Sequence, residues 1–204
     1  MIKERLVGYI EQSIKQNWEI EALSNYREKG FSYKEIAEKM LKLQLFFTDS
    51  GIKEGDKIAL VGRNSAHLCV IYLATVTYGA VIVPILPDFK PEDLTNLINH
   101  SDASLLFVDD KIYELLDIAK IPNVGGVISL DDFSMISAKN SDLKRKYLAL
   151  DEKYLNEYPV LKPEDIKFSD VTNEKLAVIS YTGGTTGFSK GVMLSHNSLA
   201  ANIR

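Results

Sequence analysis

At 204 residues, with 46% hydrophobic and 25% charged, the chain has the make-up of a globular domain able to bury one substantial core. A net charge of -4 argues against a nucleic-acid surface, which needs clustered excess lysine and arginine. The single cysteine, Cys69, excludes an internal disulfide framework and a cysteine-based metal site, and it fits a reducing, cytoplasmic compartment.

Lys3, Glu4 and Arg5 precede an amphipathic pattern of Leu6, Ile10 and Ile14, which predicts a helix over 6–18 and is no signal peptide. Ser32 and Glu35 form a Ser-x-x-Glu capping box. Ile36, Met40, Leu43 and Phe47 follow at helical spacing, and Gly51 marks the stop. After the turn at Gly55 and Asp56, residues 57–61 read as a buried strand. Asn64 or Ser65 can cap a helix running to Tyr78. The apolar run 67–86 is nearly long enough to span a membrane, but Gly79 and Pro84 interrupt it and Val81, Ile82 and Val83 are β-branched. A buried helix, a glycine stop and a strand over 80–85 explain it better.

Pro91, Glu92 and Asp93 open a short helix, with proline and acids in its first turn. A strand over 104–108, a helix over 112–119 and a strand over 126–130 continue the alternation. Strands alternating with helices predict an α/β domain with a largely parallel sheet flanked by helices. Strands apolar throughout indicate that both sheet faces are covered. Over 137–169 the pattern fades into Lys, Asp, Glu and Tyr with Pro159 and Pro163, which predicts a surface connection with some helix around 143–155. The expected division is 1–136 as an α/β subdomain, 137–170 as a connecting segment, and 171–204 as strand, loop, strand and the start of a helix.

That last part carries the chemistry. A strand over 175–181 delivers the chain into Thr182-Gly183-Gly184-Thr185-Thr186-Gly187-Phe188-Ser189-Lys190-Gly191, and a second strand over 190–194 leaves it. Ser195 or Asn197 can cap a final helix over 198–204. Glycines allow a tight turn and close backbone approach to an anion, threonines add hydroxyls, and Lys190 adds a mobile positive charge; together these can hold a polyphosphate. The plain alternative is a glycine-rich hairpin with solvent-facing threonines. The loop is not a Walker A motif, since Phe188 and Ser189 separate Gly187 from Lys190, and no Gly-x-Gly-x-x-Gly occurs. His67 and His100 lack acidic or cysteine neighbours at metal spacing, so no zinc site is expected. His196 falls where a helix cap begins and is not assigned as a base.

The run 181–192 resembles the signature loop of the adenylate-forming enzymes: acyl- and aryl-CoA synthetases, nonribosomal-peptide adenylation domains and luciferases. Their pattern, Tyr-Thr-Ser-Gly-Thr-Thr-Gly-x-Pro-Lys-Gly-Val, is matched except at Gly183, where serine is usual, and Ser189, where proline is usual. Weaker likenesses lie upstream in the expected order, at Phe31 to Ile36, Gly55 to Ala59 and Tyr78 to Pro84. The spelling is most similar to the N-terminal part of bacterial long-chain fatty-acid–CoA ligases.

The resemblance implies ATP-dependent activation of a carboxylic acid to an acyl-adenylate, then transfer to coenzyme A, with magnesium as companion ion. Thr182, Thr185 and Thr186 would donate hydroxyls to phosphate oxygens. Gly183, Gly184 and Gly187 would admit the backbone, and Lys190 would stabilise the polyphosphate charge. An acyl–carrier-protein ligase, an amino-acid adenylation domain, and a short non-catalytic nucleotide-binding protein are the alternatives. The implied partners are small molecules, with no nucleic acid and no transmembrane segment; peripheral membrane association and a homodimer are left open. The family's magnesium-holding acid, ribose-gripping aspartate, hinge and C-terminal lysine have no counterpart here. This polypeptide is therefore expected to be part of a longer protein and not to make acyl-adenylate by itself. The glycine loop is expected to be mobile without ligand.

Overall fold

The computed structural model describes residues 5–182 and 190–203. Helix α1 (Leu6–Gln16) leads to a small antiparallel ribbon of β1 (Glu21–Leu23) and β2 (Phe31–Ser32), and then to α2 (Tyr33–Asp49). The start of α2 follows from its capping box: Ser32 Oγ accepts from the Glu35 amide at 3.2 Å, and Glu35 Oε2 accepts from the Ser32 amide at 2.7 Å. Ile36, Met40, Leu43 and Phe47 are buried, as their spacing predicts. Helix α1 stops at Gln16, two residues short of the expected end. Asn17 caps it, its side-chain amide donating to the Ser13 carbonyl at 2.8 Å, so Trp18 falls in a turn.

The α/β alternation follows as β3 (Lys57–Val61), α3 (Ala66–Tyr78), β4 (Val81–Ile85), α4 (Pro91–His100) and β5 (Ala103–Val108). Ser65 caps α3, accepting from the Leu68 amide at 3.1 Å, and Gly79 ends it in the left-handed region at φ +94°. The two buried threonines of α3 return their hydroxyls to its own carbonyls, Thr75 to Ile71 at 2.8 Å and Thr77 to Leu73 at 2.7 Å. The apolar run 67–86 is thus helix and strand, and no helix among the described residues is long and apolar enough to cross a membrane.

A helix over 112–119 does not form. The chain makes one turn, α5 (Asp110–Tyr113), and a separate 3₁₀ turn at Ile118–Lys120. Asp109 and Asp117 each accept from a backbone amide two residues on, at 3.0 and 3.2 Å, and such local bonds compete with a continuous helical ladder.

Next come β6 (Gly126–Ser129), β7 (Met135–Ala138), α6 (Ser141–Leu148), α7 (Leu150–Glu157) and a 3₁₀ turn at Pro163–Asp165. The surface connection expected here is instead woven into the fold. Strand β7 adds antiparallel to β6, while Leu143, Leu150, Tyr154, Leu161 and Ile166 join the core beside α2. Leu143, Tyr147, Leu150 and Tyr154 recur at four-, three- and four-residue spacing, an apolar stripe hidden among charges.

The chain closes with β8 (Leu176–Thr182), β9 (Lys190–Ser195) and α8 (His196–Ala200). Ser195 caps α8, accepting from the Ser198 amide at 3.3 Å, so this helix begins before residue 198 and ends at Ala200.

The seven strands β3 to β9 form one sheet in the order β7-β6-β5-β3-β4-β8-β9, parallel from β6 through β8 with antiparallel strands at both edges. Alternate residues serve opposite faces. Ile58, Leu60, Leu105, Phe107 and Ile128 meet α1, α2 and α3, whereas Ala59, Val61, Leu106, Val108 and Val127 meet α4. Helices on both faces are why these strands read as unbroken apolar runs. The result is the α/β architecture expected, a mostly parallel sheet flanked by helices.

Candidate functional site

Strands β8 and β9 pair antiparallel through Tyr181↔Gly191 to Thr182↔Lys190, and 183–189 join them. Because β8 runs parallel to β4, this connection leaves from a carboxyl end of the parallel sheet, the side on which open α/β sheets receive ligands. Thr182 and Lys190 face each other across the final register pair and both are exposed. A hydroxyl-bearing and an ammonium-bearing residue thereby flank the mouth of the loop. Exposed O–H and N–H donors of this kind suit the oxygens of a polyanion. Gly183, Gly184, Thr185, Thr186 and Gly187 lie outside the described residues, as does the expectation about the loop's mobility. Among the described residues, no group of three or more histidine, cysteine or acidic side chains is placed to hold a metal ion.

The strand residues just inside the mouth make a contact that the sequence did not signal. Tyr181 is buried, and its hydroxyl lies 2.7 Å from His100 Nδ1, at the end of α4 and 81 residues away in sequence. Burial pushes the Tyr181 phenol up, with Asp102 adding to the effect, so the hydroxyl keeps its proton.

The other reactive side chains have structural work. His67 Nδ1 lies 3.0 Å from the Leu130 carbonyl, and its ring stacks on Phe31 at 5.5 Å. His196 is fully buried, with neither ring nitrogen hydrogen-bonded. Burial pushes its pKa down, against an opposing pull from Glu54, and holds the ring neutral. It follows Ser195, which pairs with Leu176 at the opposite end of the hairpin from Thr182 and Lys190. Six residues of strand, roughly 20 Å, separate it from the mouth, too far for a base acting there. Cys69 is half-buried and burial raises its thiol pKa, which makes it a poor nucleophile. Asp109 caps α5.

Comparison with known proteins places this geometry. The family model described as AMP-binding enzyme matches residues 10–204. Surfactin synthase subunit 1 of Bacillus subtilis is 30% identical over 85% of this chain, which covers 4% of that protein. A long-chain-fatty-acid–CoA ligase of Escherichia coli O157:H7 is 26% identical over 98% of this chain, covering 38% of its length. Among solved structures, a long-chain-fatty-acid-CoA ligase from Archaeoglobus fulgidus superposes with a TM-score of 0.73 at 26% identity, covering 98% of this chain and 38% of the other. An anthranilate CoA ligase bound to anthranoyl-AMP shares the fold at a TM-score of 0.74 and 16% identity, over 95% of this chain and 34% of the other. The chain thus spans well under half the length of these relatives. With a mostly parallel sheet that delivers a glycine- and threonine-rich loop between β8 and β9, and a family model matched over nearly its whole length, the chain belongs to the AMP-binding enzyme family of adenylate-forming ligases.

Proposed function

We propose that this chain forms the N-terminal portion of an AMP-binding domain and that residues 182–190 cradle the phosphates of ATP. In the longer protein a carboxylic acid is activated to an acyl-adenylate and passed to coenzyme A. The observation that carries this reading is the pairing of exposed Thr182 with exposed Lys190 at the mouth of the family's signature loop. Thr182, Thr185 and Thr186 would donate hydroxyls to phosphate oxygens, Gly183, Gly184 and Gly187 would let backbone amides approach, and Lys190 would place its ammonium on the polyphosphate. Magnesium enters the proposal through the family alone and is assigned to no residue here. The likeness to fatty-acid–CoA ligases over almost the whole chain supports a fatty acid as the substrate. The peptide synthetase relative, at 30% identity, supports a second reading, adenylation of an amino acid.

Pyrophosphate exchange by the longer protein, with ATP and a panel of fatty, aryl and amino acids, separates the two. A long-chain acid giving the fastest exchange supports the first, an amino acid the second. Lys190→Ala is expected to slow exchange roughly tenfold to a hundredfold, the value of a lost charge-assisted contact. An unchanged rate would remove the loop from the assignment. The 204-residue chain alone is expected to give no exchange.

A further inference from the structure

The loop is carried by β8 and β9, and β8 is the strand that joins this pair to the rest of the sheet. Strand β8 runs parallel beside β4 with Ile82 opposite Val178, and Ala177 and Val178 are buried there. Beyond Val178, the stretch of β8 that leads to the loop is held by β9, by a shift in register between Leu176 and Val178 that turns Ile179 and Tyr181 toward α4, and by what Tyr181 touches. Within the apolar cluster beside α4, two contacts of Tyr181 matter for the mouth. Its hydroxyl meets His100 Nδ1 at 2.7 Å, with the rings edge-on at 5.7 Å and 72°. Its ring lies against the bare backbone of Gly191, where an added Cβ would come within 3.3 Å of Tyr181 Cε1 and 3.1 Å of Ile179 Cγ2. An aromatic ring laid over a glycine on an edge strand restores the cross-strand contact that glycine lacks. One side chain therefore ties α4, β8 and β9 together immediately behind Thr182 and Lys190.

We propose that His100 is a positioning residue for Thr182 and Lys190, acting through Tyr181 to hold the β8–β9 end that carries them against α4. The inference rests on the phosphate-binding reading of 182–190. The ring nitrogen can accept from the Tyr181 hydroxyl or, carrying a hydrogen, donate to the same oxygen, so either tautomer keeps the link. Without it, the Tyr181 ring is free to leave Gly191, and the paired donors at the mouth lose their fixed position relative to α4. A preorganised pair of donors binds more tightly than a mobile pair because less freedom is lost on binding.

The test uses the 204-residue chain with inorganic tripolyphosphate as probe, in four variants: His100→Ala, His100→Asn, Tyr181→Phe and the double variant His100→Ala/Tyr181→Phe. Calorimetry should show each of His100→Ala and Tyr181→Phe binding about threefold to tenfold more weakly, the range for one lost hydrogen bond. The double variant should be no weaker than either single one. His100→Asn, whose side-chain oxygen can accept from the Tyr181 hydroxyl, should recover part of the affinity. Equal affinity in all variants, or losses that multiply in the double variant, would overturn the proposal. If the unsubstituted chain binds no tripolyphosphate, the loop reading fails for this chain and the link is judged by amide resonances. Displacement of Thr182, Lys190 and Gly191 in both single variants, with β3 resonances unmoved, upholds it; unmoved resonances at those positions refute it. Should His100→Ala disturb β3 as well, Tyr181→Phe, which removes one oxygen, decides alone.

Discussion

The centre of the sheet and its β8–β9 end are built to different standards. In the centre, β3 is in register with β4 along its whole length and with β5 on its other side, and Ile58, Leu60 and Phe107 are shut away between α2 and α3. At the end, β8 runs parallel beside β4 with Ile82 opposite Val178, and β9 leaves Val192 and Met193 exposed, the latter at 68%. The centre has alternating faces, both covered, so nearly every side chain contributes burial. The end is buried on β8, at Ala177, Val178 and Tyr181, and open on β9, where residues 190–193 are exposed. Thr182 and Lys190, proposed to meet phosphate, stand exposed at the carboxyl end of this region.

Substitutions can strain this contrast at both ends. The largest effect is expected from Phe107→Ala. The ring is fully buried and meets Phe47 edge-on at 6.3 Å, so truncation should cost about 3–5 kcal/mol in urea unfolding. A loss below about 1 kcal/mol would show that the centre is no firmer than the β8–β9 end.

An intermediate effect is expected at the base of the β8–β9 end, where His196 is buried without partners. Its folded pKa lies below the ordinary value of about 6.5, so the unfolded chain takes up a proton that the native ring refuses. Its contribution to stability is therefore full above that value and declines as pH falls through it toward the folded pKa. His196→Met should unfold at a similar urea concentration near pH 7.5 and lose less than the parent between pH 7 and 5. Identical pH slopes would show that the imidazole is hydrated in solution.

The smallest effect belongs to Met193→Ser, on the exposed face of β9. A change within about 0.5 kcal/mol is expected by the same unfolding assay. A loss above 1 kcal/mol would mean that this face is covered in solution.

Much of the fold was legible from local signals. The capping box of Ser32 and Glu35, the Ser65 cap, the Gly79 stop and the apolar strands each state their own structure through spacing and chemistry. The misreadings share a cause: a local polar competitor or a diluted apolar stripe. Asp117 broke the expected 112–119 helix by taking a backbone amide for itself. The stripe of Leu143, Tyr147, Leu150 and Tyr154 was masked by lysines and acids that face solvent, so its place in the core went unseen. The site divides the same way. The loop's glycines, threonines and lysine stand consecutively and announce themselves, whereas the contact between His100 and Tyr181 joins residues from different elements and leaves no pattern along the chain.

By itself, the amino-acid order determined what is local: most of the helices and strands, that the sheet is covered on both faces, and that a glycine- and threonine-rich loop sits between two strands. Tertiary structure alone decided that β8 lies beside β4, that 143–166 completes the core beside α2, and that α4 reaches Tyr181 behind the loop. The physical reason is that periodicity and capping act over a few residues, whereas strand order and cross-element contacts are settled by how buried faces fit together in space.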